Sequence, residues 1–203
     1  ISELPGHAGD NLKYAQQLVL RAIEETANSA SQIMQWLRQI AHASAKQNKN
    51  LVWTHPTGVK LVQRYPKFSD SAFRTEFHRV YWRDPRKEHT EKISPFKHCN
   101  GVCPNFIHSL DAAHMFFTLK RAHDEYGIKD FSVAHDSYGV HAGHMEAFKP
   151  IVNEEFVRLH QTNWLEKLRD EVSEYLDLSG VNDIPPYGTL NIEDVLESDY
   201  FFH

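Results

Sequence analysis

The segment 130–141 brings an acidic side chain to a position where it could hold a metal ion. An apolar run at 131–134 leads into the polar residues His135 and Asp136, and Gly139 lies just beyond them. This pattern predicts two antiparallel strands joined by a tight turn. A carboxylate fixed at such a turn suits a hard divalent cation, which prefers oxygen ligands. Aspartate and serine are also common in ordinary turns, so the pattern alone leaves a purely structural turn open.

The segment 71–94 combines basic and aromatic side chains. Arg74, Arg79 and Arg83 are interleaved with aromatic residues, and residues 84–89 are polar. We predict a hairpin with its tip at 84–89, whose arginines could contact the phosphates or base edges of a nucleic acid. An ordinary amphipathic hairpin with solvated charges is the alternative, and the spacing alone favours it.

A third group of candidate ligands consists of histidines and cysteines: His98, Cys99, Cys103, His108, His141 and His144. The Cys-x3-Cys spacing departs from the Cys-x2-Cys spacing that is usual in structural zinc sites, and no second pair follows at the required distance. A zinc-binding module is therefore an alternative and not the main hypothesis. Two cysteines are also too few for a disulfide framework, which favours a reducing compartment.

The composition limits the class of protein. With 203 residues, of which 41% are hydrophobic and 24% charged, the chain can form one soluble core or a large part of a bigger one. Its net charge of -5 gives no global basic character, so a polyanion would have to bind a local patch. There is no long apolar span and no signal-like start, so we expect neither membrane insertion nor secretion. The first residue is Ile1 and not methionine, which suggests a fragment.

An α+β fold, mainly helical with β-hairpins, is expected to position these residues. Apolar residues at helical spacing predict either two helices broken near residues 28–29 or one long helix through residue 46, with the apolar stripe packed in the core. A further helix is expected to open at Pro104 and end at Gly127. The other expected elements are strands at 51–54 and 59–63, helices at 145–161 and 164–178, a short helix capped by Asn191, and a docked terminal segment at 185–203.

Three motifs occur in order along the chain. Pro-Asn-Phe-Ile-His-Ser at 104–109 opens the predicted helix, His-Asp-Ser-Tyr-Gly at 135–139 lies on the predicted hairpin, and Ser-Asp-Tyr-Phe-Phe occupies 198–202. Together with Trp-Thr-His-Pro-Thr-Gly at 53–58, this ordered set resembles the single-subunit, bacteriophage-type DNA-directed RNA polymerases, a family that includes the mitochondrial enzymes. The resemblance covers nearly the whole chain.

The resemblance implies a fold and a catalytic residue. The chain, residues 1–203, would be a C-terminal fragment carrying part of the palm and fingers of a right-hand polymerase. Asp136 would be one of two carboxylates that hold the catalytic Mg²⁺ ions, with His135 and Ser137 as supporting residues of the active site. The metal ions of the family activate the 3′-hydroxyl of the growing RNA and stabilise the leaving pyrophosphate.

The resemblance also implies partners. Asn105 and His108 would contact the template–product duplex, with His108 as the minor-groove reader. The segment 71–94 falls where the family carries its promoter-specificity loop, which makes its three arginines candidate promoter contacts. The partners would be the DNA template and promoter, the RNA product, ribonucleoside triphosphates and the remainder of the polymerase chain. The location would be the cytoplasm of a bacterial or phage-infected cell or, alternatively, the mitochondrial matrix.

The family's second metal carboxylate and its nucleotide-binding lysine and tyrosine have no counterpart in these residues. We therefore predict that the chain alone does not polymerise. A family A DNA polymerase fragment is an alternative, although its hairpin usually reads His-Asp-Glu, and Ser137 with the aromatic tail favours an RNA polymerase. A non-enzymatic helical interaction domain fits the composition but leaves the three ordered motifs to coincidence.

Overall fold

The computed structural model describes residues 8–67, 71–82, 92–134, 137–198 and 200–201, which form helices and three antiparallel hairpins. The predicted α+β class is confirmed. The helices are α1 (Ala8–Thr26), α2 (Asn28–Lys46), α3 (Pro95–Tyr126), α4 (Met145–His160) and α5 (Trp164–Ser173), with 3-10 turns at Ala142–His144 and Ile192–Glu197. The strands are β1 (Leu51–Thr54), β2 (Lys60–Gln63), β3 (Ser71–Arg74), β4 (Arg79–Trp82), β5 (Phe131–Ala134) and β6 (Ser137–Val140).

The N-terminal region forms two helices, which is the first of the two arrangements predicted from the sequence. The break between them is at Ala27. The apolar stripe of α2 is buried in the core, as expected. The stripe of α1 is exposed instead: Leu12, Val19 and Ile23 are all more than half exposed. The prediction of burial is therefore wrong for α1, because this helix packs lightly against α2 and the described elements leave its apolar side in solvent.

The main core joins α2, β1, α3 and α5. Its members include Trp36, Leu37, Ile40, Leu51, Trp53, Val102, Phe106, Leu168 and Val172. Both tryptophans pair their indole N–H groups, as buried tryptophans generally must. The indole of Trp36 donates to the carbonyl of Asn182 at 3.1 Å, and that of Trp53 donates to the Ser109 hydroxyl at 3.2 Å. The core therefore fixes α3 against α2 and β1.

Helix α3 begins nine residues earlier than predicted. It starts at Pro95, after Ser94, and Pro104 lies inside it. Proline suits the first turn of a helix, where its missing N–H is not needed. An internal proline normally breaks a helix; here the residues around it, Val102, Cys103 and Phe106, are buried in the main core. The predicted end is confirmed: Gly127 has a positive φ of 66°, which glycine adopts without strain.

The hairpin formed by β3 and β4 is shorter than predicted. Arg74 pairs with Arg79, so the loop between the strands is residues 75–78. The prediction of a tip at 84–89 is therefore wrong, because those residues follow β4; they lie outside the described residues. The backbone N–H of His78 donates to the Thr75 hydroxyl at 2.9 Å, a local bond that closes the loop early.

Two C-terminal helices are confirmed with changed bounds. Helix α4 begins at Met145, so Pro150 lies within it and does not mark its start. Helix α5 ends at Ser173, five residues before the predicted end. The 3-10 turn at Ile192–Glu197 is capped as expected, since the Asn191 side chain accepts from the N–H of Glu193.

A second, smaller core lies between the C-terminal half of α3 and α4. It contains Ala122, Ile128, Phe148, Ile151 and Val152. The hairpin formed by β5 and β6 packs on this cluster through Phe131, Tyr138 and Val140. The small core therefore sets where the hairpin lies relative to α3.

A charged contact joins α5 to β1 and gives a test of the fold. The Glu171 carboxylate accepts from both the N–H and the hydroxyl of Thr54, at 2.8 and 2.9 Å. Hydrogen bonds to a charged group contribute more than neutral ones, so Glu171→Ala is expected to lower the free energy of unfolding by about 1–3 kcal/mol. Urea denaturation measures this. The matched control is the exposed Glu174→Ala, and equal stability of the two variants would contradict the assignment.

Candidate active site

The hairpin formed by β5 and β6 has a very short connection. Ala134 pairs with Ser137, so only residues 135 and 136 join the strands. The predicted site residues His135 and Asp136 are these two, and both lie outside the described residues. Ser137 is exposed at the start of β6, as is Ala134 at the end of β5.

Tyr138 anchors β6 to the helices. Its hydroxyl lies 3.1 Å from Nδ1 of His114 on α3, and the Nε2 of that histidine lies 2.9 Å from the carbonyl of Val152 on α4. The rings of His114 and Tyr138 meet edge to face at 5.8 Å. Sequence reasoning did not single out His114, because no local pattern signals a contact between residues 24 positions apart.

Asn105 lies in a hydrogen-bonded network on α3. Its amide nitrogen donates to Gln63 Oε1 and to the Tyr65 hydroxyl, each at 3.1 Å. The amide nitrogen of Gln63 in turn donates to the carbonyl of His98 at 2.9 Å. Because both N–H groups of Asn105 are used, its Oδ1 is the atom left for a ligand, and among the described residues nothing donates to it.

Tyr65 reaches Asn105 across a glycine. The ring lies over Gly101 so closely that a Cβ at that position would stand 2.5 Å from Tyr65 Cε2. The ring therefore needs a glycine below it to keep its hydroxyl on Asn105. Sequence reasoning missed both Gln63 and Tyr65 as partners of Asn105. A glycine inside a helix can signal a close approach, but Gly101 precedes the predicted helix start at Pro104.

His108 follows Asn105 by three positions on α3, and residues at this spacing are neighbours on a helix surface. The side chain of His108 is exposed, whereas Asn105 is half-buried. The structure thus places two of the predicted duplex-contacting residues side by side.

The histidine and cysteine cluster does not converge on one point. His98 is fully buried, and its Nε2 lies 3.1 Å from the Ser44 hydroxyl, which itself donates to the Lys49 carbonyl. The thiols of Cys99 and Cys103 donate to backbone carbonyls of α2. Within the ranges that the structure describes, no group of three or more histidine, cysteine, aspartate or glutamate side chains could hold a metal ion. The zinc alternative thus gains no geometric support.

The predicted promoter-binding arginines are described only in part. Arg74 and Arg79 are paired in the backbone register at the last position of the β3–β4 ladder, next to the loop at 75–78. Arg83 lies outside the described residues.

Buried imidazoles make the fold sensitive to acid. Burial lowers the pKa of His98 and of His114, and it lowers the pKa of the half-buried His160 as well. Asp111 and Glu155 oppose this shift at His114. In a pH range below the ordinary histidine value the unfolded chain then binds more protons than the folded chain, so stability falls as pH falls.

We therefore expect the free energy of unfolding to decrease from about pH 6.5 downward, by up to about 1.4 kcal/mol per pH unit for each such histidine. Urea denaturation at a series of pH values between about 7.5 and 5.5 measures the slope. Replacing His98 by glutamine should reduce the slope. A free energy of unfolding that stays constant over this range would contradict the expectation.

Comparison with known proteins places these features in a family. A family model described as DNA-dependent RNA polymerase matches residues 6–180. The chain belongs to this family. The resemblance to bacteriophage-type RNA polymerases, predicted from the ordered motifs, is thereby confirmed.

Three plant proteins are similar to this chain. DNA-directed RNA polymerase 2B, chloroplastic/mitochondrial, from Nicotiana tabacum is 34% identical over 94% of this chain, which covers 18% of that protein. DNA-directed RNA polymerase 2A from the same plant is 34% identical, with 55% of its length covered. DNA-directed RNA polymerase 1, mitochondrial, from Arabidopsis thaliana is 31% identical, with 19% covered. The polymerase chain thus spans from under a fifth to about half the length of these relatives.

In the part of the chain that the structure describes, no helix combines the length and the apolar character needed to cross a membrane.

Proposed function

We propose that the chain forms part of the palm and fingers of a single-subunit DNA-directed RNA polymerase. The whole enzyme would join ribonucleoside triphosphates into RNA on a DNA template, with the rest of the polymerase chain as partner of this part. The observation that carries this proposal is the family match over residues 6–180, supported by relatives named as DNA-directed RNA polymerases over 94% of this chain.

The catalytic centre would include Asp136 at the connection of β5 and β6. Its carboxylate is a hard oxygen donor of the kind that Mg²⁺ prefers, and it lies in the sequence between the paired residues Ala134 and Ser137. The Asp136 carboxylate therefore fits as one ligand of a Mg²⁺ site. The other ligands would come from the remainder of the polymerase. Bound there, Mg²⁺ would neutralise charge that develops on the reacting phosphate. Asp136 would hold the ion, while His135 and the exposed Ser137 would flank it.

The template–product duplex would lie along the face of α3 that carries Asn105 and His108. Asn105 would offer Oδ1 as an acceptor, since Gln63 and Tyr65 occupy its two N–H groups. The groups that all base pairs share in the minor groove are acceptors, which an imidazole N–H of His108 would bind whatever the template, whereas Oδ1 of Asn105 would accept from a donor such as a 2′-hydroxyl of the RNA strand. The exposed imidazole of His108 lies one turn further along the same helix.

The hairpin that includes β3 and β4 would read the promoter, as part of the segment 71–94. Replacing Arg74, Arg79 and Arg83 together by alanine is expected to reduce promoter-dependent initiation by about tenfold or more, because each base contact contributes about 1–3 kcal/mol. Extension of an RNA primer on a promoter-free template should change little. Transcription assays on the two templates measure this, and an equal loss on both would contradict promoter reading.

The location would be an organelle. The relatives from Nicotiana tabacum and Arabidopsis thaliana carry mitochondrial or chloroplastic names, which favours the mitochondrial alternative over the cytoplasm.

The proposed function is tested with the full-length polymerase that contains this chain. Purified enzyme is given a DNA template with a primer and either ribonucleotides or deoxyribonucleotides at equal concentration. We expect extension with ribonucleotides and strong discrimination against deoxyribonucleotides. Preference for deoxyribonucleotides would instead support the family A DNA polymerase alternative, and template-independent or absent synthesis would contradict the proposal.

A further inference from the structure

His114 connects three elements from a buried position. The side chain is on α3, 3% of it is exposed, and it contacts the carbonyl of Val152 on α4 and the hydroxyl of Tyr138 on β6. A carbonyl oxygen can only accept, so Nε2 carries the proton and donates to Val152. In the neutral ring Nδ1 is then an acceptor, and the Tyr138 hydroxyl donates to it. The two hydrogen bonds thus fix the tautomer of His114 and the direction of each bond: Tyr138 donates to His114, and His114 donates to Val152.

Aromatic rings hold this arrangement on several sides. The imidazole of His114 meets the ring of Phe156 edge to face at 5.6 Å, and the ring of Tyr138 lies 6.0 Å from that of Phe148. Burial lowers the pKa of His114, against the influence of Asp111 and Glu155, which is consistent with a neutral ring. The orientation of Tyr138 is therefore set by ring packing and by the hydrogen bond that its hydroxyl donates to His114.

Tyr138 lies close in sequence to the proposed catalytic carboxylate. It pairs with Val133 in the β5–β6 ladder, and Ser137 alone separates it from the two connecting residues. Strands transmit small displacements along the backbone, since each residue is tied to its partner in the ladder. A shift of Tyr138 would thus displace the start of β6, which directly follows Asp136 in the sequence.

We propose that His114 is a positioning residue that acts through Tyr138 to hold strands β5 and β6, between which Asp136 lies in the sequence, at a fixed place relative to α3 and α4. The inference rests on the proposed function, because it takes Asp136 to be the metal-binding carboxylate. It goes beyond that function by assigning a role to a buried side chain that touches neither metal nor substrate. Small misplacements of a catalytic group cost large factors in rate, which gives such a residue a measurable effect.

The test uses the full-length polymerase with Tyr138→Phe, which removes one hydroxyl and keeps the ring. We expect kcat for single-nucleotide addition to fall about tenfold, while the KM for the nucleotide stays within about twofold. His114→Phe should give a similar loss. The double variant should lose no more than either single variant, because both remove the same hydrogen bond. His114→Gln, which keeps a donor and an acceptor, should recover part of the rate.

The matched control is Tyr175→Phe. The Tyr175 hydroxyl also takes part in a partly buried hydrogen bond, accepting from the N–H of Val52 at 2.8 Å. Tyr175 packs against the main core and not against the hairpin formed by β5 and β6. This variant should lower the free energy of unfolding and leave kcat unchanged. A purely structural role of His114 predicts the same behaviour for Tyr138→Phe, so wild-type kcat in Tyr138→Phe would overturn the proposal. Additive losses in the double variant would overturn it as well.

A parallel measurement on Asp136→Asn separates this inference from the proposed function. If Asp136→Asn is inactive while the Tyr138 and His114 variants keep wild-type kcat, the positioning role is refuted and the polymerase proposal stands. If Asp136→Asn keeps wild-type kcat, the proposed catalytic site itself is wrong.

Discussion

Asp136→Asn in the full-length polymerase is expected to lower kcat for nucleotide addition by about a thousandfold or more. The amide keeps the size of the side chain but removes the negative charge that would hold Mg²⁺. A metal ion contributes several kcal/mol to the stabilisation of a transition state, and each 1.4 kcal/mol corresponds to about a factor of ten in rate. Single-turnover extension of a primed template, followed by rapid quench, measures the effect.

The matched control for this variant is Asp130→Asn. Asp130 is an exposed acid that immediately precedes β5, so it shares the hairpin's sequence neighbourhood but not the proposed role. Its replacement should leave kcat within about twofold of the wild type. A decrease of less than about fivefold in Asp136→Asn, with normal folding, would remove Asp136 from the catalytic centre.

The chain of 203 residues, tested alone, is expected to make no template-directed RNA. The proposed site supplies one carboxylate, which would not organise two metal ions, and among the described residues no group of three or more histidine, cysteine, aspartate or glutamate side chains could hold a metal ion. Primer extension with labelled ribonucleotides, run beside the full-length enzyme at equal concentration, measures the activity. Template-dependent incorporation by the isolated chain would contradict the expectation and would require a second metal site within these residues.

Local signals in the sequence predicted most of the elements. The end of α3 at Gly127 and the cap at Asn191 depend on single residues with strong conformational preferences, and both are as expected. The hairpins β1–β2 and β5–β6 follow from apolar runs around turn residues. Such features depend on a few neighbouring residues, so they can be derived without knowledge of the fold.

The wrong predictions concern places where distant residues decide. Pro104 predicts a helix start, but the residues around it are held in the main core, so α3 begins earlier, at Pro95, and continues through Pro104. The predicted tip at 84–89 is too late in the sequence, because the hydrogen bonds between Thr75 and His78 close the β3–β4 loop first. The exposure of Leu12 on α1 could not be predicted, because periodicity indicates an apolar side and not what covers it.

The candidate site was predictable in its motifs but not in its supporting contacts. Asn105 and His108 could be singled out from an ordered motif, whereas the bonds of Asn105 to Gln63 and Tyr65 span about 40 positions. The bond between His114 and Tyr138 joins a helix to a strand across the Gly127 turn. Contacts of this kind arise from packing, and no spacing rule along the chain encodes them.

We propose that a catalytic metal ion binds at the connection of β5 and β6. The most direct test replaces Mg²⁺ by Fe²⁺ in the full-length polymerase and generates hydroxyl radicals, which cut the backbone next to the bound ion. We predict cleavage within residues 130–141, suppressed by excess Mg²⁺ and absent in Asp136→Asn. Cleavage that spares this segment, or that persists unchanged in Asp136→Asn, would contradict the claim.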